Sequence, residues 1–240
     1  MLSPDEYQAI LERDSTSFVA LLRTADLSAS VPACPGWDVA DLARHLGGVH
    51  RWAHDAVVTG ESGPRAEGPA SRDDLVQWFA EGASQLVSLL RRTDPDSPAW
   101  TFGPPPRTAA FWSRRQAHET SVHLGDAQRA LEVAVEADAD PDFAADGVDE
   151  VASMFFPGRV RRGATPALDR GLRVVLTDLP GTAFVIAGDG TDPTAPTAAT
   201  LRGPAADVLL VLWGRASVES LIVEGDPAVV DEVLAAGITP

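Results

Sequence analysis

Apolar residues recur every three to four positions through most of the first 133 residues, which is the spacing of one buried helix face. Asp38, with Asp41 three positions later, and Ser71 are residues that cap helix N-termini. The prolines concentrated between residues 94 and 106 exclude a regular helix in that stretch. The pattern therefore predicts a bundle of four long helices, at residues 3–22, 38–58, 71–90 and 108–133.

After residue 142 the pattern changes. One more helix is predicted at 143–156, followed by short β-type runs that alternate with two helical segments. The predicted strands lie at 172–177, 183–186, 197–201 and 220–223, and the helices at 204–213 and 227–236. The chain is thus predicted to be of the α+β class, with a helical bundle over residues 1–155 and a small α+β domain over residues 156–240.

Charge and cysteine content narrow the classes of protein to consider. A net charge of −16 disfavours nucleic acid or an anionic membrane as a partner. All 19 basic residues are arginine, so a Schiff-base lysine mechanism is excluded. Cys34 is the single cysteine, which leaves no internal disulfide and gives an oxidising compartment no support. With no secretion signal or membrane-spanning apolar run, the expected location is the cytoplasm.

Candidate metal ligands lie on the fourth predicted helix. Glu119 and His123 are four residues apart, so both side chains share one face and can reach one metal ion. His118 points away from that face and is the weaker candidate. Asp126, three residues beyond His123, is either a solvated acid or a partner that orients a ligand imidazole.

The second predicted helix carries three further histidines. His50 and His54 share a face, whereas His45 is offset from it, and helix geometry alone does not choose between His50 and His54. The neighbouring Gly47 and Gly48 would leave open volume near an inward side chain, which modestly favours His50. Two helices that offer a histidine and a Glu-x-x-x-His pair are typical of metal sites inside helical bundles.

Three ligands of this kind are typical of catalytic zinc, because they leave one coordination position open. An open position binds a thiol or a water molecule and makes it more acidic, which supports either thiol activation or hydrolysis. The spacing does not separate these two chemistries. Cys34 precedes Pro-Gly without a nearby His/Asn signature, so a packing role is favoured over that of a nucleophile.

Three stretches of the sequence together match the pattern of a known family. The first runs from Cys34-Pro-Gly-Trp37 into Ala43-Arg-His-Leu-Gly-Gly-Val-His50-Arg-Trp52. The second is His118-Glu-Thr-Ser-Val-His123 with Asp126. The third is the tail, with Leu-Trp-Gly-Arg215 and then Val223-Glu-Gly-Asp226. Together these stretches resemble the mycothiol-dependent maleylpyruvate isomerase family, whose N-terminal domain is a DinB-like four-helix bundle. The resemblance covers nearly the whole chain.

The resemblance implies His50, Glu119 and His123 as metal ligands, with His50 preferred to His45 and His54. It further implies a divalent metal, usually zinc, and mycothiol as the low-molecular-weight thiol. The implied reaction is addition of the thiol to a small electrophile, for example in the cis–trans isomerisation of maleylpyruvate to fumarylpyruvate. An arginine of the C-terminal domain is implied to contribute, and Arg215 is the nearest match, with Arg202 as its competitor.

The resemblance does not fix the substrate. Three arginines are candidates to bind a dicarboxylate, namely Arg51, Arg114 and Arg115. Two other functions stay open beside the thiol-dependent enzyme: a metal-dependent hydrolase without a thiol cofactor, and a non-catalytic protein that binds a small molecule on the same fold.

Overall fold

The computed structural model describes residues 2–133 and 140–240. The chain divides into two compact units, Ser3–Ala137 and Asp138–Pro240. Within the described residues, no helix combines the length and the apolar character needed to cross a membrane.

The first unit contains four long helices: α1 (Pro4–Thr24), α2 (Val39–Thr59), α3 (Arg72–Arg92) and α4 (Ala109–Ala130). Ser3 caps α1 and Asp38 caps α2, each in a reciprocal capping box with the residue three positions later. Ser71 caps α3 through its side chain, which accepts from the Asp74 amide. These caps satisfy backbone donors that a helix start would otherwise leave unpaired, and they set the beginning of each helix.

The core of this unit lies between the apolar faces of the helices. The rings of Phe18 and Phe79 stack with centroids 4.9 Å apart, and both side chains are fully buried. Leu42 and Leu46 of α2 are also fully buried in this cluster. The core thus uses the α2 stripe predicted from the sequence, and Leu124 and Ala127 of α4 belong to the same buried cluster.

The second unit combines helices with one mixed sheet. Its strands β1 (Leu168–Leu176), β2 (Ala183–Gly188), β3 (Thr197–Gly203) and β4 (Ile222–Gly225) lie in the order β2-β1-β3-β4. The β1–β3 pair is parallel and the other two pairs are antiparallel. Its helices are α5 (Pro141–Glu150), α6 (Phe156–Arg161), α7 (Ala205–Leu212) and α8 (Pro227–Ala235).

The predicted α+β class, with a four-helix region before a small four-stranded sheet, is confirmed. Two boundaries differ from the prediction. Helix α5, predicted to belong to the bundle domain, packs against α7 of the second unit, so the division falls before α5 rather than after residue 155. Pro157 does not end the helical stretch, because a π-helical turn at Val151–Phe155 leads directly into α6, where proline occupies the first turn.

Candidate metal centre

Two helices bring a carboxylate and two imidazoles together in the first unit. On α4, Glu119 and His123 share one face as predicted, and His45 of α2 lies opposite them. The distance from Glu119 Oε1 to His45 Nε2 is 3.3 Å, and to His123 Nε2 it is 3.6 Å. The three side chains are between 12% and 21% exposed, so the group is shielded from solvent but still reachable.

These distances fit the needs of a tetrahedral zinc ion. Ligand bonds of about 2.0–2.1 Å place neighbouring ligand atoms about 3.3–3.4 Å apart. The separations from Glu119 to the two imidazoles lie near that value. Two nitrogens and one oxygen are also the donor types that a catalytic zinc site uses, so these residues can hold a divalent ion with one position left open.

The second carboxylate oxygen of Glu119 has a separate partner. Arg115, one turn earlier on α4, donates from Nη2 to Glu119 Oε2 at 2.6 Å, and its side chain is only 3% exposed. Burial alone would raise the pKa of Glu119, because it favours the protonated acid. The charge of Arg115 and the hydrogen bonds with His123 and His45 outweigh this effect of burial. Together they hold the pKa of Glu119 well below its usual range. The carboxylate is therefore charged at neutral pH and ready to bind a cation.

The other ring nitrogen of His123 is also held in place. Asp126 Oδ2 lies 3.1 Å from His123 Nδ1, and Cys34 Sγ lies 3.9 Å from the same carboxylate oxygen. Burial opposes the charged imidazole, but hydrogen bonds with Asp126, Cys34 and Glu119 raise the pKa of His123 well above its usual value. A carboxylate on Nδ1 fixes the ring so that Nε2 points toward Glu119, as is usual for metal-binding histidines.

His50 lies outside this group, which revises the predicted ligand set. Its imidazole is fully buried, with Nε2 2.9 Å from Thr120 Oγ1 and the ring 5.3 Å from that of Phe79. Burial lowers the pKa of His50 to about 3, so the ring is neutral near pH 7. Among the described residues, the third member of the Glu119 and His123 group is His45.

The glycines that favoured His50 have a different role. A Cβ on Gly47 would clash with the Trp78 ring, and one on Gly48 would approach the carbonyl oxygen of Ala66 to 2.7 Å. The missing side chains therefore admit a tryptophan and a loop backbone, and they do not leave open volume beside His50. His45 instead packs against the Trp37 ring, with centroids 4.8 Å apart.

The remaining predicted residues have distinct environments. His54 contacts Asp55 on the surface side of α2, and His118 lies against Tyr7 of α1, with ring centroids 6.2 Å apart. Arg51 lies over the Trp78 ring at 3.9 Å and donates to backbone oxygens, while Arg115 pairs with Glu119. Neither of these two arginines is therefore placed as a free clamp for a dicarboxylate.

Arg215 belongs to the second unit. Its Nη1 donates to the carbonyl oxygen of Trp213 at 2.7 Å, and its guanidinium lies 5.5 Å from the centre of the Trp213 ring. Arg202, the competing candidate, has Nε 3.7 Å from Glu224 Oε1 in a largely exposed pair. The catalytic role predicted for Arg215 stays a prediction.

Three residues of the site were not predicted as such from the sequence: His45, Cys34 and Arg115. His45 is offset on α2 from the face that His50 and His54 share, and Cys34 lies 92 residues from its partner Asp126. The pairing of Arg115 with Glu119 was predictable, because the two residues are four positions apart on the same helix.

Comparison with known families agrees with this architecture. The family model of the mycothiol maleylpyruvate isomerase N-terminal domain matches residues 9–128, and that of the corresponding C-terminal domain matches residues 142–232. The chain is also similar to the crystal structure of the mycothiol-dependent maleylpyruvate isomerase, with a TM-score of 0.67 and 15% identity over 94% of this chain and 95% of that one. A variant of that enzyme with a histidine replaced by alanine gives a TM-score of 0.64 and 16% identity over the same shares. No curated protein sequence matches the chain.

Proposed function

Because the chain belongs to the mycothiol-dependent maleylpyruvate isomerase family, we propose that it is a metal-dependent enzyme that uses a low-molecular-weight thiol, with mycothiol as the expected thiol. The observation that carries this proposal is the convergence of His45, Glu119 and His123 on one point between α2 and α4. These three side chains would hold the metal, for which zinc is the expected ion.

We assign each residue around the proposed metal site a distinct role. A divalent ion held here would make a bound thiol acidic enough to react as a thiolate near neutral pH. His45, Glu119 and His123 would hold the ion and leave one position open. Asp126 would fix the tautomer of His123 by accepting from Nδ1, and Arg115 would keep Glu119 charged.

The reaction that we propose as the named example is the isomerisation of maleylpyruvate to fumarylpyruvate. The thiolate adds to one carbon of the cis double bond, and the electron pair moves toward the conjugated carbonyl group. The former double bond is now a carbon–carbon single bond, and the adduct rotates about it. Elimination of the thiolate then re-forms the double bond, which gives the trans product and releases the thiol unchanged. We propose Arg215 as a residue that binds the acidic substrate, since a guanidinium can pair with a carboxylate.

We further propose a cytoplasmic location and small-molecule partners, with neither nucleic acid nor a membrane as a partner. A single cysteine forms no internal disulfide, and the net charge of −16 would repel nucleic acid. The thiol and the electrophile are then the partners to test first.

The test is an assay of maleylpyruvate turnover with metal and thiol varied independently. We expect activity only when the purified protein has both zinc and mycothiol, and loss of activity after chelation that added zinc restores. Cys34→Ser is the control, because it excludes the explanation that an added thiol acts only by keeping Cys34 reduced. The thiol requirement is expected to persist in that variant.

Other results would select the other functions. Turnover of a test ester or amide that needs metal but no thiol would identify a hydrolase with a metal-activated water. Absence of metal uptake and of turnover would contradict the proposal and favour a binding protein on this fold.

A further inference from the structure

The two oxygens of the Glu119 carboxylate have different partners: Oε2 contacts Arg115, and Oε1 faces the two imidazoles. We propose that Arg115 is a positioning residue, which occupies Oε2 of Glu119 so that only Oε1 is offered to the metal and the open position stays free for the thiol. This inference rests on the proposed function, because it concerns the same group of ligands.

The geometry supports such a division. Oε2 accepts from Arg115 Nη2 at 2.6 Å, whereas Oε1 faces the Nε2 atoms of both imidazoles at 3.3 and 3.6 Å. Arg115 is four residues before Glu119 on α4, so the pair is built within one rigid helix. A short charge-assisted bond of this kind fixes the rotation of the carboxylate as well as its position.

The burial of Arg115 points to a specific role. Its side chain is 3% exposed, and taking a guanidinium out of water is costly before any pairing. A buried ion pair is a poor way to gain stability, since apolar residues of similar size often serve as well or better. A role in fixing the geometry of Glu119 therefore explains the burial of Arg115 better than a gain in stability does.

The pairing has two consequences for an incoming ligand. A carboxylate with one oxygen occupied would supply one donor atom, so the three side chains would leave one coordination position of a tetrahedral ion for another ligand. The positive charge of Arg115 also offsets the negative charge of Glu119. A divalent ion held beside two neutral imidazoles would then keep more of its charge, which would favour an anionic ligand such as a thiolate over neutral water.

The experiment uses the full chain loaded with Co²⁺, which reports the number and type of its ligands through its visible absorption. Arg115→Met and Arg115→Gln remove the charge, and Arg115→Lys keeps a charge that can bond one oxygen. Arg91→Met is the matched control, because Arg91 forms the same kind of ion pair with Glu12 on the surface, at 2.6 and 3.0 Å. Metal affinity is measured by competition with a chelator, and thiol binding by titration with 2-mercaptoethanol.

In the neutral variants we expect Oε2 of Glu119 to be released to the Co²⁺ ion, because its partner Arg115 is lost. Their absorption should change toward a higher coordination number, and the thiol titration should move to higher concentration. Arg115→Lys should restore most of both properties, and Arg91→Met should match the wild type. If either neutral variant that folds retains the wild-type spectrum and thiol titration, the positioning role is refuted while the metal site stands. If the wild type itself takes up no Co²⁺, both the site and the role of Arg115 are refuted.

Discussion

Replacement of Glu119 by glutamine is expected to abolish tight metal binding and to lower thiol-dependent turnover by at least about 1000-fold. The amide has nearly the shape of the carboxylate but no charge, so the two imidazoles lose the anion on which they converge. A catalytic metal supplies several kcal/mol of stabilisation, and each 1.36 kcal/mol corresponds to a factor of about ten in rate. Bound metal and kcat, measured on the same preparations, check this prediction.

The matched control for this variant is Glu12→Gln. Glu12 also pairs with an arginine, Arg91, but on the exposed side of α1, and is not among the proposed ligands. Its loss should leave metal content and turnover at wild-type levels, with a stability change below about 1 kcal/mol. Wild-type turnover in Glu119→Gln would contradict the account of the site. The unfolding free energy should be recorded as well, because the variant leaves the Arg115 charge buried without its carboxylate.

The second large effect is a loss of folding stability at acid pH, which we attribute to His50. Because burial lowers the pKa of His50 to about 3, the folded protein keeps this ring neutral while the unfolded chain binds a proton below about pH 6.5. The unfolded state therefore gains protons first, and stability falls as the pH drops from about 6.5 toward 3. Between pH 6.5 and pH 4.5 the contribution of His50 to this loss is about 2 kcal/mol.

His50→Gln isolates that contribution. Glutamine retains a polar group near Thr120 Oγ1, the partner of His50 Nε2, but it does not titrate. Urea unfolding of the metal-free proteins at pH 6.5 and 4.5 should show a shallower loss of unfolding free energy in His50→Gln than in the wild type. His54→Gln, a more exposed change on the same helix, should follow the wild type. Parallel curves for wild type and His50→Gln would contradict the assignment of a buried neutral ring.

The fold was predictable because local signals agreed with tertiary packing. The apolar stripe of α2 is buried along its length, and the predicted cap at Asp38 is present with its partner Asp41. The end of the helical stretch near Pro157 was not predictable from proline alone. A π-helical turn before it allows proline into the first turn of α6, and such a turn has no clear sequence signal.

Half of the candidate site was predictable and half was not. Glu119 and His123 are close because helix geometry alone sets residues four apart on one face. His45 and His50 are about 140° apart around α2, one on each side of its apolar stripe. Which of them faces Glu119 depends on where α4 lies, and this is a property of the packed bundle rather than of either helix. The contact of Cys34 with Asp126 depends on the same packing.

The measurement that tests the central claim most directly is the metal content of the purified wild type, His45→Gln and His50→Gln by elemental mass spectrometry after equilibration with zinc. The account predicts about one zinc ion per chain in the wild type and in His50→Gln, and loss of the ion in His45→Gln. Loss of the ion in His50→Gln with retention in His45→Gln would contradict the site built on His45, Glu119 and His123.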